Sequence, residues 1–236
     1  MTSIAMTRTV QSVRVLLVIW RRTQLIPWAV LALVFAVTSG VLHFTPVPHS
    51  GRNVVGGLVS IYFFPLVFTF QAVTQTYPFA AGLGLTRRGF ARAIALTVTG
   101  QAVLTGIVLF VLSRLEQATS GWGESMYFFR IPELLTGNRA TQVLAYIAPM
   151  LFTAFLGFFL GTVTKRFGLV GVIVAVFTVI VVGGAAAVIV SWQQDWTVLW
   201  DRVAGLTAFG LLVGTPAVLA VLLAGAGWGV LRRAVA

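Results

Sequence analysis

Charge is scarce in this sequence. Asp, Glu, Lys and Arg together make up 9% of its 236 residues, against about 25% in a soluble domain. With 58% hydrophobic residues and a mean hydropathy of +0.98, the chain cannot cover its own surface with polar groups and reads as an integral membrane protein. Cysteine is absent, which excludes a disulfide framework and any thiolate metal site. Lys165 is the single lysine and stands in "TVTKRFG", so no phosphate-binding loop ending in Gly-Lys-Ser/Thr exists and the chain does not bind ATP that way. The two histidines, His43 and His49, flank Pro46 and Pro48 and read as loop residues, with no metal expected. No Gly-x-Ser-x-Gly or His-Glu-x-x-His occurs. Catalysis is therefore not expected of this chain, and neither is a bound cofactor. Arginines continue up to the first apolar stretch without a small-residue cleavage site, so no signal peptide is expected.

What the sequence has in quantity is membrane-length apolar runs. A helix needs about 20 apolar residues to cross a bilayer. Six stretches qualify: Leu25–His43, Val54–Thr76, Ala93–Ser113, Thr141–Val163, Leu169–Val190 and Val203–Gly229. The expected fold is all-α with six transmembrane helices in one domain, residues 1–236, and neither an internal repeat nor a low-complexity linker divides it. Pro65, Pro149 and Pro216 are expected to kink the second, fourth and sixth spans. Gly157/Gly161, Gly210/Gly214 and Gly225/Gly229 are spaced four apart, as close helix packing requires. These cores contain no ionisable residue apart from His43 at an outer end, which weakens a proton- or ion-coupled carrier.

The sparse charges sort by loop. Arg8, Arg14, Arg21, Arg22, Arg87, Arg88, Arg92, Lys165, Arg166, Arg232 and Arg233 fall on one side with no acid. Arg52, Arg114, Arg130, Arg139 and Arg202 share the other side with Glu116, Glu124, Glu133, Asp195 and Asp201. The positive-inside rule then sets both termini in the cytoplasm. The formal charge of +11 is a topology signal, and no nucleic acid partner is expected, because no soluble basic module exists.

One loop stands out: "YPFAAGLGLTRRGFAR", residues 77–92. Gly82 and Gly84 open a dinucleotide fingerprint, but its third glycine would fall at Arg87 and no strand precedes it. A phosphate cradle is excluded. Pro78 suits the first turn of a short helix, and Thr86 suits the cap of a helix running from Arg87 into the third span. Tyr77, Phe79, Leu83 and Leu85 then lie near the membrane surface among arginines. From the residues alone, two readings stand level: a basic loop on anionic lipid head groups, and an apolar docking surface.

On Pro78, Phe79, Ala80, Gly82, Gly84, Thr86, Arg87, Arg88 and Phe90, this stretch resembles the first cytoplasmic loop of type-2 ATP-binding-cassette permeases, notably small actinobacterial ones. The six spans and the "LRRA" tail at Leu231–Ala234 extend the resemblance along the chain. It implies the type-2 exporter fold and a permease subunit in a bacterial cell membrane. It also implies a coupling helix, built from Tyr77, Pro78, Phe79, Gly82, Gly84, Thr86, Arg87 and Arg88, that docks on a nucleotide-binding ATPase. Two ATPase copies carrying ATP and Mg, and a second permease, identical or sister, are the implied partners. Residues 1–24, with Thr7, Gln11, Arg14 and Arg21 on a polar stripe, suit either an interfacial helix like the family's elbow helix or an extension of the first span. Residues 191–202, with Trp192, Trp196 and Trp200, suit either a short external interfacial helix, as the family carries in this connection, or an aromatic belt flanking two spans. On the second span, Phe64, Phe68, Gln71 and Gln75 share a face that suits either a path for an amphiphile or hydrogen bonding to neighbouring helices. The external segment Leu115–Asn138, rich in aromatics, suits either a cap over the exit or a rest on the membrane. The rival classes are a secondary carrier, a six-helix substrate-binding subunit of an uptake system, and a non-transporting membrane anchor.

Overall fold

A computed structural model describes residues 25–44, 53–54, 56–130, 138–193, 196–197, 205, 207 and 209–233. The elbow stretch 1–24, His49 and most of the segment 191–202 lie outside them. The described chain is helical: α1 (Leu25–Phe44), α2 (Val59–Gln71), α3 (Tyr77–Gly82), α4 (Arg87–Ala118), α5 (Arg139–Gln193) and α6 (Thr215–Leu231). One two-residue parallel bridge joins β1 (Asn53–Val54) to β2 (Met126–Tyr127). Four helices have the length and composition to cross a membrane: Leu25–Phe44, Arg87–Ala118, Arg139–Trp192 and Gly210–Leu231.

α5 is too long to be one rod. Gly168 leaves helical geometry at φ 69° and ψ −168°, a region open only to glycine. Three residues on, Gly171 lies against Phe167 and Val163. A straight helix would hold Gly171 and Val163 roughly 12 Å apart along its axis. The chain therefore folds back sharply at Gly168, just after Lys165 and Arg166. Beyond the fold, Leu169 to Trp192 presents apolar side chains outward along its length.

Two prolines are met by a widening of the helix. Wide, five-residue turns span Ala72–Thr76 and Gly210–Gly214, and each ends two residues before a proline, Pro78 and Pro216. A proline ring collides with the carbonyl four residues back and supplies no N–H to it. Shifting the register by one residue relieves both problems: Tyr77 N–H donates to the Ala72 carbonyl, and Thr215 N–H to Gly210. The sequence reading starts a separate short helix at Pro78. The structure instead continues α2 through the wide turn into α3 without a break, while Pro65 and Pro149 sit inside regular helix.

The core is built on glycine contacts. A Cβ at Gly157 would strike the Leu66 carbonyl oxygen and Thr69 Oγ1, and one at Gly161 would come 2.8 Å from Val73 Cβ. So α2 lies backbone to backbone on the first arm of α5, and Thr69 donates across the interface to the Ala154 carbonyl at 2.7 Å. Gly157/Gly161 are thus a helix-packing pair, as their spacing predicts. The other pairs behave differently: Gly225 and Gly229 have no neighbour within 4 Å. On α6 it is Gly227 that takes a partner, the ring of Phe158.

Two clusters mark the ends of the bundle. At one end Tyr77, Phe90, Ile94, Phe158 and Leu231 are buried together. Arg87, Arg88, Arg232 and Arg233 adjoin this cluster in sequence, and Lys165 and Arg166 follow one turn beyond Gly161. At the other end Leu31, Leu58, Ile61, Leu109, Met126, Phe128, Phe129 and Tyr146 are buried with Glu116 nearby. The described charges that the sequence sorts by loop are thereby sorted in space. We call the two the arginine end and the Glu116 end.

Candidate functional site

At the arginine end, α3 terminates in a compact reversal. Leu85 N–H donates to the Ala80 carbonyl at 3.0 Å and Gly84 N–H to Ala81 at 2.9 Å, with Gly84 at φ 83°. That paired bonding is a Schellman cap, which needs a left-handed residue where Gly84 stands. Thr86 follows in extended conformation (φ −74°, ψ 150°), and its Oγ1 accepts from Gly89 N–H at 3.1 Å. It caps α4, as expected from its position before Arg87. Thr86→Ala is expected to cost about 1 kcal/mol, read as a lower unfolding midpoint in detergent. An unchanged midpoint would show that the cap contributes nothing.

The eight residues expected to form a docking helix separate by role. Tyr77 is 4% exposed and packs on Phe90, ring centroids 4.9 Å apart. It anchors the tip and is not available as a docking contact, because the unbroken run from α2 turns it inward. Gly84 makes the reversal and Thr86 the cap. Arg87 donates from Nη1 to the Arg232 carbonyl at 2.8 Å, joining this loop to the end of α6. Pro78, Phe79, Gly82 and Arg88 face outward. Phe79 is 68% exposed, and Leu83 beside it is 76% exposed. Gly82 has ordinary helical φ and nothing within 4 Å of a notional Cβ, so neither conformation nor internal packing requires glycine there. A helical glycine costs about 1 kcal/mol relative to alanine. The result is a rigid, exposed apolar knob with a flat glycine beside it, held on a buried aromatic anchor and flanked by arginines.

On the second-span face, Phe64 and Phe68 are half-buried and Gln71 is exposed along α2. Gln75 is also exposed and lies within the wide turn that follows.

Sequence reasoning missed Glu116. It counted this residue among the acids of an outer loop, yet the side chain is 0% exposed. Its Oε2 accepts from Phe128 N–H at 2.9 Å, Phe129 N–H at 2.8 Å and the Trp122 indole at 3.3 Å, and Oε1 accepts from Arg130 N–H at 3.1 Å. Three successive backbone amides thus converge on one carboxylate, a charge-assisted arrangement. Between the two partners the chain turns left-handed at four consecutive residues, Ser120 (φ 54°), Gly121 (78°), Trp122 (59°) and Gly123 (81°). Such a conformation costs roughly 1–2 kcal/mol at each non-glycine residue. The signal available beforehand was a carboxylate one turn from the end of an apolar helix, followed by Gly-Trp-Gly.

No group of three or more metal-ligating side chains occurs among the described residues. Comparison of the chain with protein-family models, with curated proteins and with solved structures finds no match.

Proposed function

We propose that this chain is the permease subunit of a bacterial ATP-binding-cassette exporter, with six spans, cytoplasmic termini and the type-2 fold. The observation that carries the reading is the apolar knob of Phe79 and Leu83 at the arginine end. A rigid, exposed, non-spanning apolar surface beside cations is what a docking site for a cytoplasmic protein requires. Gly82 supports it, since a partner's backbone can approach where this chain has no use for a glycine. Arg87 supports it too: its bond to the Arg232 carbonyl ties the loop to the last helix, so a push on the knob reaches α6 as well as α2. Residues 64, 68, 71 and 75 are the proposed substrate path.

Two ATPase subunits, carrying ATP and Mg, would dock one per permease. A second permease, identical or sister, would cover apolar surface that the chain leaves bare on the second arm of α5 and along α6. ATP-driven closure of the ATPases would tilt the permease halves between inward- and outward-open states. The fold-back at Gly168 supports six spans by dividing Arg139–Gln193 into two arms, and the excess of described cations over acids at the arginine end supports the orientation.

The test is purification of the tagged chain in mild detergent from its own cells. A stoichiometric ATP-hydrolysing subunit should accompany it. Isolation without one, together with substrate movement driven by an ion gradient in ATP-free vesicles, would replace the reading with a carrier.

A further inference from the structure

The Glu116 end contains a segment that is neither a span nor part of the exposed knob at the opposite end. Residues 119–130 leave the end of α4, reverse through the left-handed turn at Ser120–Gly123, and re-enter the bundle. Met126, Phe128 and Phe129 are buried among Leu31, Leu58, Ile61 and Leu109, so the segment fills the space between α1, α2, α4 and α5. Phe35 of α1 meets the rings of Trp122, Phe128 and Phe129 at centroid distances of 5.3, 5.4 and 5.8 Å. Three polar fastenings hold it: the Glu116 carboxylate, the Tyr146 hydroxyl donating to the Phe129 carbonyl at 2.7 Å, and the two-residue bridge to Asn53–Val54.

We propose that residues 119–130 are a releasable plug, hinged at Ser120–Gly123 and latched by Glu116, which closes this end of the bundle. A run of left-handed residues is retained only where surrounding contacts over-determine it. Of the segment's side-chain fastenings, Glu116 holds the most, the Trp122 indole of the hinge and three amides beyond it, so loss of this acceptor loosens hinge and amides together. The closed state is also incompletely satisfied: Arg130 Nε and the Tyr62 hydroxyl are buried at this end and meet no partner among the described residues. A latch that removes most but not all of the polar cost is suited to opening without unfolding of the rest. The opposite end is unaffected in this scheme, because its cluster shares no residue with the plug.

The chain has no cysteine, so a thiol introduced at one position reports cleanly. Met126→Cys, buried in the plug, is the reporter. Thr119→Cys, exposed at the hinge, gives the unprotected rate, and Val73→Cys, buried at the arginine end, reports on the remaining fold. Each variant is purified in detergent and treated with a bulky maleimide. The thiol of Met126→Cys should react slowly beside native Glu116. Adding Glu116→Gln should accelerate it about tenfold or more, while the thiol of Val73→Cys stays protected. Unchanged protection at position 126 in a monodisperse, helical Glu116→Gln protein would overturn the latch. Parallel exposure at position 73 would overturn local release. Where Glu116→Gln does not fold, Glu116→Asp decides, since it keeps the charge but shortens the reach to the Phe128, Phe129 and Arg130 amides. Faster labelling at position 126 then supports the plug, and an unchanged rate overturns it.

Discussion

Replacing Phe79 and Leu83 together by aspartate is expected to abolish recovery of the ATPase subunit with this chain while leaving the helical fold intact. Both side chains are mostly exposed in the free chain, at 68% and 76%, so their loss removes little of its own packing. Surface changes of that kind stay within about 0.5 kcal/mol of neutral stability. In the proposed complex the same two side chains would be the apolar centre of the contact. Anchors of this type contribute about 2 kcal/mol or more each, and a buried unpaired aspartate adds a penalty, so affinity should fall roughly 100-fold or further. Gly82→Trp is the matched steric variant: nothing described lies within 4 Å of a Cβ at this exposed position, and the ring would hold a partner away. The readout is ATPase co-purification together with ATP turnover of the complex. Undiminished recovery and turnover in both variants would sink the assignment of this knob as the docking site, whatever else the protein does.

The contrast between Gly82 and Gly84 shows where a sequence stops being informative. Two residues apart in a glycine-rich loop, they look equivalent as letters. In the structure Gly84 is required by its left-handed φ and Gly82 by nothing among the described residues. Local rules served well where the cause is local: Thr86 before a helix caps it, and Gly157 four before Gly161 packs a neighbour. Glu116 was illegible for the opposite reason. Three of its four partners are backbone amides 12 to 14 positions ahead, which carry no side-chain signature. The continuity of α2 with α3 was hidden by a real ambiguity, since a proline starts helices well and also survives within them when a wide turn precedes it.

Gly157→Leu is expected to produce the largest loss of stability of any single change on α5, and Gly225→Ala on α6 to produce none. The two glycines are alike in sequence, each the partner of another glycine four residues away. At Gly157, however, a Cβ would collide with the Leu66 carbonyl oxygen, which is backbone and cannot rotate aside, and with Thr69 Oγ1. Accommodating a leucine means separating α2 from α5, and that also breaks the Thr69 bond to the Ala154 carbonyl. Overpacking costs about 1–3 kcal/mol even where only a few methylenes are added, and the interhelical hydrogen bond contributes about 0.6 kcal/mol more. A total of roughly 2–4 kcal/mol is a large part of the roughly 5–15 kcal/mol that holds a domain folded. At Gly225 no atom stands within 4 Å, so alanine meets no obstacle and removes the helix penalty of glycine, up to about 1 kcal/mol. Unfolding midpoints of the two variants in the same detergent, measured by helical circular dichroism, separate these outcomes. A Gly157→Leu protein as stable as the parent would mean that α2 and α5 do not meet at this glycine, and the packing of the arginine-end knob onto the bundle would have to be drawn again.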